Sequence, residues 1–385
     1  MIGLLTFQLT NNFGAHLHTI ALYNKIKDLG YTCEIVDYRS PELINRETKS
    51  FRLVGLSPKK IVAFVLYSYK QKKKYKSLCL DLRKYTKVSP IYYPDTIKDA
   101  NHRYNSFLIG SDVVWSLRIT NYDYNYFLDF ADDAKYKVAF SSSVGETDMY
   151  RDNQCLPVLL RRLNSISVRE EEAVEWVKAI SGKNANYVCD PTMLYTMQEW
   201  DKLIEPKKYE SNYVLTYFGD PTGKMEREAL EYANHHHLKL KSIRMGLPKR
   251  GVESVWPTSH AEFLGLIKYS KAFFTASYHG MLFGIYYHRE LFYYNYGLKA
   301  RMASLGSKLG IENHCGNDIT NILNVIPIDY AKVDFLIDQF RSYSIKVLKQ
   351  ALDNLYPYLQ PIITQYFIDN KSEIWLLFLI AHSKR

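Results

Sequence analysis

Short apolar runs alternate with stretches of helical period through most of this chain, and that alternation leaves few folds open. Ile2–Phe7 reads as a strand, Ala15–Leu29 as a helix stopped by Gly30, and Thr32–Tyr38 as the next strand. A second series starts after the loop Glu205–Ser211. It runs Tyr213–Tyr217 (strand), Met225–His235 (helix), Lys239–Ile243 (strand), Ala261–Ser270 (helix), Ala272–Ala276 (strand), His279–Tyr287 (helix) and Leu291–Tyr294 (strand). Strands alternating with helices through short loops give parallel, doubly wound sheets. At 385 residues the chain exceeds one ordinary core. The prediction is α/β, with two Rossmann-like lobes facing a cleft, one over residues 1–205 and one over 206–328. Two regions break the alternation. Residues 48–90 read as a basic, aromatic helical insertion, and 329–385 as a helical tail that ends in the apolar run Ile374–Ile380 and packs back on the N-terminal lobe.

Composition narrows the partner and the compartment. Lys+Arg 50 against Asp+Glu 40 leaves +10, which favours an anionic partner. Tyrosine, 33 residues, is the outlier, and a ring face joined to a hydroxyl suits carbohydrate or interface surfaces. Five cysteines with no CxxC pair argue against a disulfide framework and for a reducing compartment. No basic segment followed by an apolar one trails Met1, so no signal peptide is expected. Ile374–Ala381 is too short for a membrane span, which needs roughly 20 residues. The expectation is a cytoplasmic protein.

Four strand ends carry groups with chemistry. Thr10-Asn11-Asn12-Phe13-Gly14-Ala15 is the turn into the first helix, where Asn12, Gly14 and the helix N-terminus make either an anion seat or an ordinary tight turn. Gly110-Ser111-Asp112 follows the strand Ser106–Ile109, and Asp112 reads equally as a general base or a helix cap. Arg169 follows Ser165–Val168 and offers a fork for carboxylate or phosphate, or an ion pair with Glu170 or Glu171. Ser277-Tyr278-His279-Gly280 opens an apolar helix, and His279 reads equally as a base or hydrogen-bond partner at the cleft or as a satisfied structural histidine. Asp190-Pro191-Thr192 reads chiefly as a turn. His235-His236-His237 ends a helix and cannot converge on one metal, and no zinc, phosphate-loop or dinucleotide fingerprint occurs. No metal is expected.

These motifs, in this order, resemble the polysaccharide pyruvyl transferase family. Asn12-Phe13-Gly14-Ala15-His16-Leu17-His18 is similar to its opening signature. Gly30-Tyr31, Val36-Asp37-Tyr38-Arg39, Gly110-Ser111-Asp112-Val113-Val114-Trp115, Tyr126-Phe127-Leu128, Ser167-Val168-Arg169-Glu170, Asp190-Pro191-Thr192, Glu262–Ile267 and Ser277-Tyr278-His279-Gly280 continue it over roughly residues 1–325. Two positions depart. His18 stands where many members have glutamine, and Ser277 where some have arginine; Arg301 is the replacement cation expected here. The resemblance implies lobes similar to B-type glycosyltransferases. It also implies transfer of the enolpyruvyl unit of phosphoenolpyruvate onto two hydroxyls of one sugar, giving a ketal and phosphate, with no separate cofactor. The acid–base pair is then His279 and Asp112, and the substrate-binding set is Asn12, Gly14, His18, Arg169, Ser277 and Arg301.

Two readings compete: a nucleotide-sugar glycosyltransferase on the same fold, and a non-catalytic membrane or nucleic-acid adaptor built on the basic stretch 59–87. Nucleic acid is not the expected partner. A lipid-linked glycan acceptor is, and with it contact between an anionic membrane face and Lys59, Lys60, Lys70, Lys72, Lys73, Lys74 and Lys76 among Phe64, Tyr67, Tyr69 and Tyr75, with Trp375, Leu376, Phe378 and Leu379 of the tail.

Overall fold

A computed structural model describes residues 1–48, 58–145, 152–204, 210–219, 222–244, 251–296 and 299–355. The tail residues Trp375, Leu376, Phe378 and Leu379 lie outside them. Β-strands of the first half are β1 (Ile2–Leu5), β2 (Cys33–Tyr38), β3 (Val88–Tyr92), β4 (Ser106–Ile109), β5 (Tyr136–Ser142), β6 (Ser165–Val168) and β7 (Asn186–Tyr187). They form one parallel sheet in the order β3-β2-β1-β4-β5-β6-β7. Those of the second half are β8 (Tyr213–Tyr217), β9 (Lys239–Ile243), β10 (Glu253–Val255), β11 (Ala272–Thr275) and β12 (Glu290–Tyr293), again all parallel, in the order β10-β9-β8-β11-β12. Each order winds outward from a first central strand in both directions, so each sheet has a switch point at which a crevice opens. β1, β2, β4, β5, β8 and β11 are buried along their whole length, as parallel strands covered on both faces must be.

Between β2 and β3 the chain forms α1's neighbours rather than a free module. The helix α1 (Phe13–Asp28) links β1 to β2, and α2 (Pro41–Thr48) and α3 (Pro58–Tyr85) link β2 to β3. The predicted helical insertion 48–90 is therefore the β2–β3 crossover, and its last residues are the edge strand β3. Lys87 and Pro90 disguise that strand; proline is tolerated there because an edge strand needs only one side of its ladder.

One apolar core runs through both halves. It joins Leu17 and Ile20 of α1 to Phe263, Phe273, Met281 and Phe283 of the second half, and to Val347 and Leu348 of the long helix Tyr330–Asp353. That helix returns to the first half, where Ser344 Oγ accepts from Cys189 N at 2.9 Å and Tyr31 Oη donates to Asp353 at 2.5 Å. Polar links cross the same boundary: His260 donates to Asp81 of α3 through its backbone N (2.8 Å) and Nδ1 (2.6 Å), and His260 Nε2 lies 3.1 Å from His16 Nδ1 of α1. Among the described residues no helix is long and apolar enough to cross a membrane.

Candidate active site

Five loops at the C-terminal ends of β1, β4, β6, β7 and β11 converge. The first is a capped helix start. Asn12 Oδ1 accepts from Gly14 N at 2.9 Å, so this side chain closes the turn of α1, while Thr10 and Asn11 are held by Glu47 of α2. Gly14 has a different role from the anion approach expected of it. A Cβ there would meet His279 Nδ1 at 2.1 Å, so the glycine makes room for an imidazole and not for a ligand.

After β4, Gly110 turns against the β5 backbone so closely that a Cβ would lie 1.9 Å from the Phe140 carbonyl oxygen. The chain then places Asp112 at φ +65, a left-handed conformation that Asp tolerates better than most residues. Neither Ser111 nor Asp112 caps a helix: Ser116 caps Leu117–Thr120, and Ser111 Oγ donates to the Ser141 carbonyl. Asp112 is left facing the cleft. Burial works against its charge, but His18, Arg169, His279 and Arg301 outweigh that and hold it below the usual carboxylate value.

Arg169 is the largest departure from expectation. Its side chain is 1% exposed and set among acids, with Asp190 at 2.9 Å, Glu170 at 3.4 Å and Asp112 at 3.9 Å, and only its buried Nη2 lacks a hydrogen bond among the described residues. Burial opposes its charge, yet Glu170 and Asp190 raise its pKa further. It is a strut beneath the site and not an open fork for an incoming anion. His18 is likewise below the floor, 0% exposed and 4.0 Å from Asp112, with its ring 6.0 Å from that of His279. Burial lowers its pKa from the ordinary 6.5 to about 4. Ser277 lines the cleft, but its hydroxyl accepts from Gly280 N as the cap of the helix Tyr278–Tyr286.

Asp190, read from sequence as a turn, is the residue that organises the group. Oδ1 accepts from Thr192 N and Oγ1, and Oδ2 takes Arg169 and lies 3.4 Å from His279 Nε2. Burial opposes its charge, but His279 and Arg169 hold its pKa well below the ordinary value. Asp190 thus stands beside Nε2 of the imidazole, while Nδ1 lies beside Gly14. Asp190 stands just after β7 as Asp112 stands after β4, and that shared position was the signal available in the sequence.

Asp112 and His279 share a cleft of about 610 Å³ with Asn12, Ser277 and Arg301. Arg301 lies 5.8 Å from the Tyr278 ring, near which Arg169 also stands at 5.1 Å, and its buried Nε has no hydrogen-bond partner among the described residues. Burial and Arg169 lower its pKa. The far wall comes from α3 and from Arg244 and Trp256, which sequence reasoning left out of the site. Among the described residues no group of three or more His, Cys, Asp or Glu side chains could hold a metal ion. The arrangement offers an ionised carboxylate, an oriented imidazole and an unpaired guanidinium, which together suit proton transfer on a small anion.

Comparison with known proteins gives one family. A sequence model of the polysaccharide pyruvyl transferase family matches residues 12–297. No curated protein matches the chain. Among solved structures, a putative UDP-N-acetylglucosamine 2-epimerase from Listeria monocytogenes is similar, at TM-score 0.48 and 9% identity over 91% of this chain and 90% of that one. The UDP-GlcNAc 2-epimerase from Neisseria meningitidis is similar at TM-score 0.44 and 8% identity, over 94% of this chain and 100% of that one.

Proposed function

The chain belongs to the polysaccharide pyruvyl transferase family, and we propose that it moves the enolpyruvyl unit of phosphoenolpyruvate onto two hydroxyls of one sugar. The observation that carries this reading is Asp112 and His279 on one cleft beside Arg301, a guanidinium that no carboxylate of the described residues neutralises at close range. A donor with a phosphate and a carboxylate needs such a cation. Arg169 contributes indirectly, by keeping Asp190 and Asp112 ionised.

In this reading His279, oriented by Asp190, carries the proton that goes to the methylene carbon. Asp112 takes the proton of the attacking hydroxyl as its oxygen bonds to the neighbouring carbon. Phosphate leaves with the proton that Asp112 took up, the second hydroxyl closes the ring on the same carbon and returns its proton to His279, and a cyclic pyruvate ketal results. The acceptor is a polysaccharide unit or its lipid-linked precursor. Peripheral contact with an anionic membrane belongs to the same proposal, supported by an exposed stripe on α3 discussed below.

The test is incubation with phosphoenolpyruvate and a panel of free and lipid-linked glycans, following phosphate release, with nucleotide sugars as alternative donors. Glycan-dependent phosphate release supports the reading. Turnover of a nucleotide sugar, with phosphoenolpyruvate inert throughout, would sink it.

A further inference from the structure

Tyr67, Gln71 and Lys74 stand on one face of α3, at spacings of four and three residues, and all three line the cleft opposite Trp256 of the second lobe. Lys74 is 8% exposed, with its ammonium 4.2 Å over the ring of Phe13. Among the described residues no hydrogen bond or ion pair reaches that ammonium. The other lysines buried as deeply are satisfied: Lys137 donates to the carbonyls of Asp132 (2.6 Å) and Lys135 (3.1 Å), and Lys241 pairs with Glu210 (2.5 Å) and Glu253 (3.3 Å). A deeply buried ammonium with no ion pair at close range is costly, and here burial lowers its pKa to about 8 against the opposing pull of Glu47. Its neighbours are short of partners too. Gln71 is held through Nε2 on the Glu47 carbonyl, and among the described residues its buried Oε1 has no donor and the buried Trp256 Nε1 no acceptor. Trp256 is itself pinned, with the ammonium groups of Lys70 and Lys73 at 5.5 and 5.9 Å from its ring.

The geometry points to this wall as the acceptor subsite, selecting through Lys74 a sugar that carries a negative charge, a ring carboxylate or an attached phosphate. The inference rests on the pyruvyl-transfer reading above. Two aromatic faces, an amide oxygen and an indole N–H match the faces and hydroxyls of a sugar, and the ammonium supplies the demand for an anion. The donor is not the better occupant. Charges acting on Arg301 are Arg169, Glu170 and Asp112, at the reacting end of the cleft, whereas Glu47 is the one that acts on Lys74. The two cations serve different ends.

The experiment pairs methyl hexuronosides and hexose 1-phosphates with their neutral parents, in the gluco, galacto and manno series, as acceptors for the intact enzyme and for Lys74→Met and Lys74→Gln. Wild-type kcat/KM is expected to favour one anionic class by about tenfold to a hundredfold, the scale of one charge-assisted hydrogen bond. Both variants should bring that ratio near one while their melting temperature stays at or above the parent's, since a buried unpaired charge has been removed. Which class wins separates a ring carboxylate from a phosphate. A wild-type ratio near one, a ratio that survives in both variants, or an effect confined to the KM of phosphoenolpyruvate would each overturn the assignment. Calorimetric binding of the same sugars without donor keeps the question separate from the reaction. Anion-selective, Lys74-dependent binding supports the subsite even where no pyruvate is transferred, and equal binding of charged and neutral sugars removes it.

Discussion

At the scale of single residues, the site divides into groups that meet the cleft and groups that hold them. His279→Ala and Asp112→Asn should each lose about 10²–10⁴-fold in kcat with little change in melting temperature, the usual cost of an acid or base. Loss of fold together with rate would instead make them structural. Asp190→Asn is expected to cost more in stability, about 3–5 kcal/mol, because it strips charge from a buried partner of Arg169 and His279; denaturant melts measure it. Gly14→Ala should fail by contact alone, since its Cβ has no place beside His279 Nδ1. A pH effect follows from His16 and His18, both 0% exposed and both with pKa values lowered by burial, well below the ordinary 6.5 for His16 and to about 4 for His18. Below 6.5 the unfolded chain takes up protons that the folded one refuses, so stability falls as pH drops toward 4, by about 1.4 kcal/mol per pH unit for each. Melting temperatures from pH 7 to 4.5 should show that slope, and His18→Gln should remove one share of it. A flat profile would mean that these imidazoles are not enclosed. Asp190 and Lys74 are in plain view in the sequence, where one reads as a turn and the other as part of a basic stretch facing a membrane. What distinguished them was enclosure, which no local pattern reports.

At the scale of elements, α3 shows how one helix carries two surfaces. The seven lysines expected to face a membrane do not share one fate. Lys74 is enclosed in the cleft, and Lys70 and Lys73 reach over to Trp256. Lys72 and Lys76 are exposed and continue a stripe with Val62, Val65 and Tyr69, whose exposures are 57%, 56% and 62%. Apolar side chains left in water beside lysines fit an interfacial helix. The side chains of Lys59 and Lys60 lie outside the described residues. Flotation with liposomes containing anionic lipid should therefore fall with salt and disappear in Lys72→Glu/Lys76→Glu with Val65→Ser. Lys74→Met should float as the parent does. Binding insensitive to lipid charge and to these changes would leave α3 with its inward face alone. The strand β3 teaches the same lesson from the other side: five residues with Pro90 among them do not announce a strand until β2 is beside them.

At the scale of the whole molecule, a single apolar core and the Asp81–His260–His16 contacts tie the second lobe to α1 and α3. Calorimetry should show one cooperative transition for the chain and not two. Asp81→Ala, which leaves the His260 backbone N–H and Nδ1 without their acceptor, should lower it by several degrees or split it; an unchanged trace would show that the core alone holds the lobes. The alternation of strands and helices, the parallel sheets, the family and the strand ends at which Asp112 and His279 stand were all legible in the sequence. Those follow from period, turn residues and ordered motifs, all of them local along the chain. What could be seen only in three dimensions is that Asp190 engages Arg169, that Gly14 yields its space to His279, that Asn12 and Ser277 spend a side chain on a helix start, and that Lys74 has no hydrogen bond or ion pair among the described residues. Each of these depends on which charges and atoms from distant segments meet in a space from which water is excluded. There, pairing sets the free energy of a charge, and the spacing of residues along the chain does not record it.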